Sequence, residues 1–364
     1  MFPLWARISG PSGGKRDNGM SIAIERSNLG TSTTWRQFQL ACGCVALAIG
    51  VGCALYAVET LLLQSERRFV ENPSDTMTRA IGLAHFSIGW LFLFTSPRLR
   101  NRAALGRLTF WTLFGVAFCW LFAWGGADRN PLLLLAFYSF FFIHEAFDEA
   151  YLFRSSGEAP CPTPEADGFL RSLCVSISLM FITMLASSQV LRGHLLDRSA
   201  MLQHIPAPWL YGSLLLLGAA SAFAAVNTVR HARSGYGSVR ESIRLHQPLL
   251  LVYAGLIAIL FIGSLFGSIG ANLVILIHGM TWLVCTHRKL GERHADAAGL
   301  WSWLRNSPTG FLTLHLAVTA LTLLFFALRT HLWQRTGLVC DLVSKTWFPY
   351  WGIMHIAMSF WRSK

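Results

Sequence analysis

The sequence predicts an all-α, polytopic membrane protein with about ten transmembrane helices and no soluble domain. Three observations carry that reading. Apolar residues gather in long continuous runs instead of alternating with polar ones. Charged residues make up only 13% of the 364, about half the share of an ordinary globular domain, while 53% are hydrophobic. Basic residues concentrate in every second interval between the runs. A soluble fold of this length cannot bury so much apolar material and still present a wettable surface. Continuous runs also argue against a β-barrel, whose strands alternate.

The runs cover residues 38–63, 80–96, 108–124, 131–150, 173–191, 208–227, 247–266, 271–286, 311–328 and 346–361. A crossing takes ~20 apolar residues. The first, fifth, sixth, seventh and ninth runs meet that length. The eighth (Ala271 to Thr286) and the tenth (Thr346 to Trp361) are short, so the count ranges from eight to ten. Gly267-Ser268-Ile269-Gly270 leaves room only for a turn between the seventh and eighth, which predicts a tight hairpin.

With ten crossings and the N-terminus inside, 21 of the 30 Lys and Arg fall on the inner side. That asymmetry predicts both termini in the cytoplasm, in a bacterial-type inner (plasma) membrane. The basic loops absorb the formal charge of +12 as topology determinants beside anionic lipid, so no nucleic acid is invoked. Residues 1–37 form a polar, Gly- and Ser-rich cytoplasmic tail expected to be disordered, ahead of one transmembrane domain over 38–364. The tail has no short apolar core followed by a cleavage site, so it does not read as a removable signal peptide. Met20 is a second candidate start. The loops are too short for a soluble catalytic domain, which places any chemistry in the membrane or at its face. The eight Cys, among them Cys42, Cys44, Cys161 and Cys174, match no zinc spacing and read as structural.

Ionisable groups inside hydrocarbon are costly and therefore informative. Five His fall within predicted spans: His85, His144, His278, His315 and His355. Counting residues to the nearest basic residue at ~1.5 Å each spreads them over ~10 Å of depth. That spread fits one elongated polar cavity open to the cytoplasmic side better than a single four-ligand centre. The fourth run ends in His144-Glu145-Ala146-Phe147-Asp148-Glu149. His144 and Asp148 share one helix face and Glu145 and Glu149 another, about 100° away. An imidazole with nearby carboxylates suits Fe, Zn or Mn. In the plainer reading the helix leaves the membrane early, and Glu145, Asp148 and above all Glu149 are solvated at the inner face. His85…Trp90…Arg98, His278…Trp282…Arg288 and His355…Trp361-Arg362 repeat a loose pattern, in which the Trp and Arg are what an interfacial belt would supply. The loop from His287 to Asp296, with His294, reads as solvated. Glu59 lies near the outer end of the first run, placed to pair with an Arg or to meet outer-leaflet water.

The paired His boxes of membrane desaturases, the Glu-x-x-His of di-iron bundles and HExxH are absent. Several span His beside a carboxylate cluster point to a metal-dependent intramembrane enzyme acting on a lipid or isoprenoid. In that reading His85, His144, His278 and His355 hold a non-haem metal, Fe or Zn, while Asp148 and Glu145 are the catalytic acid–base groups. The partners are membrane lipid and a hydrophobic small molecule. Three alternatives stand beside it: haem held by His144 and His278 as axial ligands; a transporter or assembly factor using the same groups as a relay; and polar residues that only tie helices together.

Overall fold

The computed structural model describes residues 32–64, 72–95, 99, 101–125, 131–158, 164–196, 205–291, 300–307, 309–342 and 347–360. Among these every regular element is helical. In chain order the helices are α1 (Thr33–Ala57, continued by a π-turn over Val58–Leu62), α2 (Pro73–Phe94), α3 (Arg102–Trp124), α4 (Pro131–Ser155), α5 (Pro164–Leu196), α6 (Ala207–Tyr236), α7 (Val239–Ser264), α8 (Ile269–Gly291), α9 (Leu300–Asn306), α10 (Gly310–Leu342) and α11 (Phe348–Ser359).

Seven of the described helices are long and apolar enough to cross a membrane: α1, α2, α3, α5, α6, α7 and α8. Among the described residues that is three fewer than the ten crossings read from the runs, with α4, α10 and α11 outside the set. The tenth run forms only the 12-residue α11, ~18 Å long against ~30 Å of hydrocarbon. The ninth run is the apolar first half of the 33-residue α10, which continues to Leu342. The short α9 sits inside what reads as a loop. The helices begin ahead of their apolar runs because polar residues cap them. Asn72 accepts from the backbone N–H of Ser74 and Asp75 with Pro73 in the first turn, and Asn101 and Ser238 cap α3 and α7 in the same way. The tail residues 1–31 lie outside the described residues.

The predicted hairpin between the seventh and eighth runs is present. Gly267 adopts φ +103, and a Cβ on Gly263 would stand 2.7 Å from the Gly270 backbone, so α7 and α8 close on each other without side chains between them. Elsewhere helices are joined by small polar contacts. Ser172 and Thr228 hydroxyls meet at 3.1 Å and Thr183 and Ser221 at 3.0 Å, both between α5 and α6. The outer faces of α3 and α6 expose Phe110, Trp120, Leu215 and Phe223, the surface expected to meet acyl chains. Inside, α4 packs on α5 through stacked Phe142 and Phe181 rings 5.1 Å apart, while α7, α8 and α11 close over the rest of it. Glu59 is buried in the π-turn that ends α1.

Candidate metal centre where four helices meet

The centre is built around α4. Its carboxylates do not leave the membrane face for solvent: Glu145 is 0% exposed, Glu149 1% and His144 3%. This overturns the solvated reading of Glu145 and Glu149. Only the Asp148 side chain reaches outward, at 33% exposure. The cause is packing on several sides at once. Successive helical positions turn by ~100°, so groups at 144, 145, 148 and 149 cover two faces. Both of those faces are enclosed by α5, α7, α8 and α11.

Each of the other histidines comes from a different helix. His85 projects from α2, His278 from α8 and His355 from α11, all buried. Ring centroids lie 4.5 Å apart for His85 and His355, 5.3 Å for His85 and His278, 5.0 Å for His144 and His278, and 5.7 Å for His144 and His355. The four candidate ligands therefore form one compact cluster, not the elongated array expected from chain spacing. Distance to the next basic residue measures depth only for helices that end at one level. Here α8 runs past Arg288 to Gly291, whereas α11 stops at Ser359. His315 of α10 is buried as well and lies near enough to act electrostatically on His85.

Two carboxylates bear directly on the rings. Glu145 Oε2 stands 2.5 Å from His278 Nδ1, a buried ion-pair contact between α4 and α8. Asp148 Oδ2 lies 3.6 Å from His144 Nε2 along one face of α4. The other ring nitrogen of His144, Nδ1, is 3.1 Å from the Ser359 hydroxyl on α11. The backbone of α4 is fixed between its acidic residues: the Tyr253 hydroxyl of α7 donates to the Ala146 carbonyl at 2.5 Å, and the Cys174 thiol of α5 donates to it at 3.5 Å.

No protein-family model, curated protein or solved structure matches this chain. The site is therefore read from its own chemistry. Three groups of metal-ligating atoms each gather within 4.8 Å: His85, His278 and His355; His144, Asp148 and His278; Glu145, Glu149 and His278. Tetrahedral nitrogen donors at ~2.0–2.1 Å from an ion stand about 3.4 Å from one another, which small rotations reach from here. Both nitrogens of His85, Nε2 of His278, Oε1 of Glu145 and Oε1 of Glu149 are buried without a hydrogen-bond partner among the described residues. Such atoms are ready to act as ligands, and leaving each one unmet costs ~1–3 kcal/mol. The residues fit a bare ion. His144 and His278, the pair that haem ligation would use, meet edge to face at 5.0 Å.

A cavity lies against the cluster, walled by Phe86, Phe137, Phe141 and Phe348 with Gly82 and Gly352. About 20 Å3 of it is open to a water centre, room for one water-sized species. Sequence reasoning missed Ser359, Tyr253, Cys174 and Trp282. Ser359 was detectable: it follows His355 by four residues and shares its face. Trp282 belongs to the centre and not to an interfacial belt, since its ring packs on His85 at 4.4 Å. Trp90 likewise turns inward onto Trp351 at 5.3 Å. Arg98, Trp361, Arg362, His294, Asp296 and Cys161 lie outside the described residues.

Proposed function

We propose that this protein is a multi-pass membrane enzyme that holds a non-haem transition metal, Fe or Zn, and acts on a lipid, isoprenoid or similar hydrophobic molecule. The observation that carries the proposal is His278, a buried residue common to all three groups of potential ligands. His85, His278 and His355 would hold the ion, with His144 as a further nitrogen donor. Such an ion supplies Lewis acidity toward a substrate oxygen or a bound water. Glu145 orients His278, and Ser359 orients His144, as partners behind a ligand do. Asp148 touches His144 on one side and reaches outward on the other, so it is placed to carry a proton between the centre and the exterior. The aromatic walls of the cavity favour an apolar reacting group. Its size admits only the reacting end, with the rest of the substrate lying along the lipid-facing surface.

We place the protein in a plasma-type membrane with both termini cytoplasmic, on the strength of the basic-residue asymmetry. The test is an absorption spectrum and elemental analysis for Fe, Zn, Mn and Cu on protein purified in mild detergent, repeated on His144→Ala and His278→Ala. A stoichiometric metal that both variants lose supports the enzyme. Metal retained by both variants would sink it. Folded wild-type protein that holds no metal even after loading favours a relay instead, for which the His144–Asp148 contact is the observation in hand.

A further inference from the structure

The pocket around His278 offers more donors than one ion can use. Four histidines and three carboxylates contribute to the three overlapping groups. A tetrahedral ion takes four donors and an octahedral one six. The donors also sort by kind. One flank, His85 with His355, is nitrogen alone. The other, Glu145 with Glu149, is carboxylate oxygen, and His144 with Asp148 stands beside it. His278 is common to both flanks and has two ring nitrogens to offer. Its Nδ1 stands 2.5 Å from Glu145 Oε2, which puts that edge of the ring on the carboxylate flank. Among the described residues Nε2 of His278 is buried without a hydrogen-bond partner, and so are both nitrogens of His85 on one flank and Oε1 of Glu145 and of Glu149 on the other. Unmet buried ligands therefore stand on both sides of one imidazole.

We infer that this pocket binds two divalent cations, with His278 serving both. The inference rests on the metal-binding reading above and extends it from one ion to two. One ion takes His85, His355 and Nε2 of His278. The other takes Glu145, Glu149 and Nδ1 of His278, replacing the direct Glu145–His278 contact of the single-ion site with one through the metal, and His144 and Asp148 are available to complete its shell. Charge does not oppose the pair: to serve both ions His278 gives up its ring proton to a hydroxide and becomes an imidazolate, and that charge with three carboxylates balances two dications. Two ions sharing one imidazolate would divide the work, one polarising a substrate oxygen and the other lowering the pKa of a bound water.

Co2+ is the probe, because it replaces Zn2+ or Fe2+ in nitrogen and oxygen sites and reports its own coordination. Metal-stripped full-length protein in detergent is saturated with Co2+, then assayed for bound metal per chain and for magnetic coupling by electron paramagnetic resonance. The expected result is two Co2+ per chain with a coupled spectrum. Glu149→Gln, which removes a charge and keeps the shape, is expected to halve the bound metal and leave the spectrum of an isolated ion. His85→Gln is expected to halve it from the other flank. One Co2+ per chain at saturation overturns the pair and leaves the single-ion reading standing. Two Co2+ that neither variant reduces put the second ion elsewhere and also overturn the pair. No bound Co2+ in folded protein overturns both the pair and the metal-binding reading beneath it.

Discussion

His278 is the residue on which the other candidate ligands converge, and its neighbours decide how well it could serve. A ligand imidazole is held in place by what its second nitrogen touches, and loss of such a partner weakens metal binding roughly 10–100-fold. His144 has that kind of partner in Ser359, 3.1 Å away on another helix. Ser359→Ala is therefore expected to weaken metal affinity by about that factor while the fold is kept, as read by competition with a chelator. Tyr253 acts one step further back. Its hydroxyl donates to the Ala146 carbonyl inside the acidic turn of α4. Tyr253→Phe is expected to lower stability by ~0.5–1.5 kcal/mol, measured as a shift of the denaturant midpoint at unchanged slope. At this scale the sequence was readable where burial is expensive. His85, His144, His278, His355 and the α4 carboxylates stand out because hydrocarbon penalises them. Ser359, Tyr253 and Cys174 carry no such penalty and look like ordinary span residues until a second helix is laid beside them.

At the scale of elements, the centre depends on how closely α11 lies on α2. Gly82 and Gly89 sit seven residues apart on one face of α2. A Cβ at Gly82 would stand 2.9 Å from the Phe348 ring, and one at Gly89 would stand 3.1 Å from His355. These glycines let a short helix press its histidine into the cluster. Gly82→Ala is expected to push α11 outward, costing ~1–3 kcal/mol of stability and lowering metal affinity with it. Thermal unfolding with and without metal reads both effects. If α11 tolerates the added methyl, stability and affinity stay at wild-type values. The hairpin of α7 and α8 was legible, because Gly267 to Gly270 leaves only a turn. The extents of α10 and α11 were not. Apolar composition marks where a helix prefers lipid, but caps and polar flanks set where it begins and ends. The compactness of the cluster was hidden for the same reason, since chain spacing says nothing of the level at which each helix stops.

For the whole molecule, the all-helical class follows from apolar runs that only helices can carry across a bilayer. Seven described helices are long and apolar enough to span. The orientation we propose predicts that the turn between α6 and α7, at Gly237 and Ser238, faces the cytoplasm. A reporter fused after Gly237 is expected to be active only as a cytoplasmic reporter; activity on the other side would invert the topology. Four separate helices bring the ligands, and neighbouring helices exclude water from most of them.

The proposed enzyme requires that the buried histidines be metal ligands. The X-ray absorption spectrum of the bound metal in purified protein tests it most directly. The expected shell is nitrogen and oxygen at ~2.0–2.2 Å with the outer-shell scattering of several imidazoles, reduced in His278→Ala. A sulfur shell near ~2.3 Å, or a spectrum without imidazole scattering that His278→Ala leaves unchanged, would contradict it.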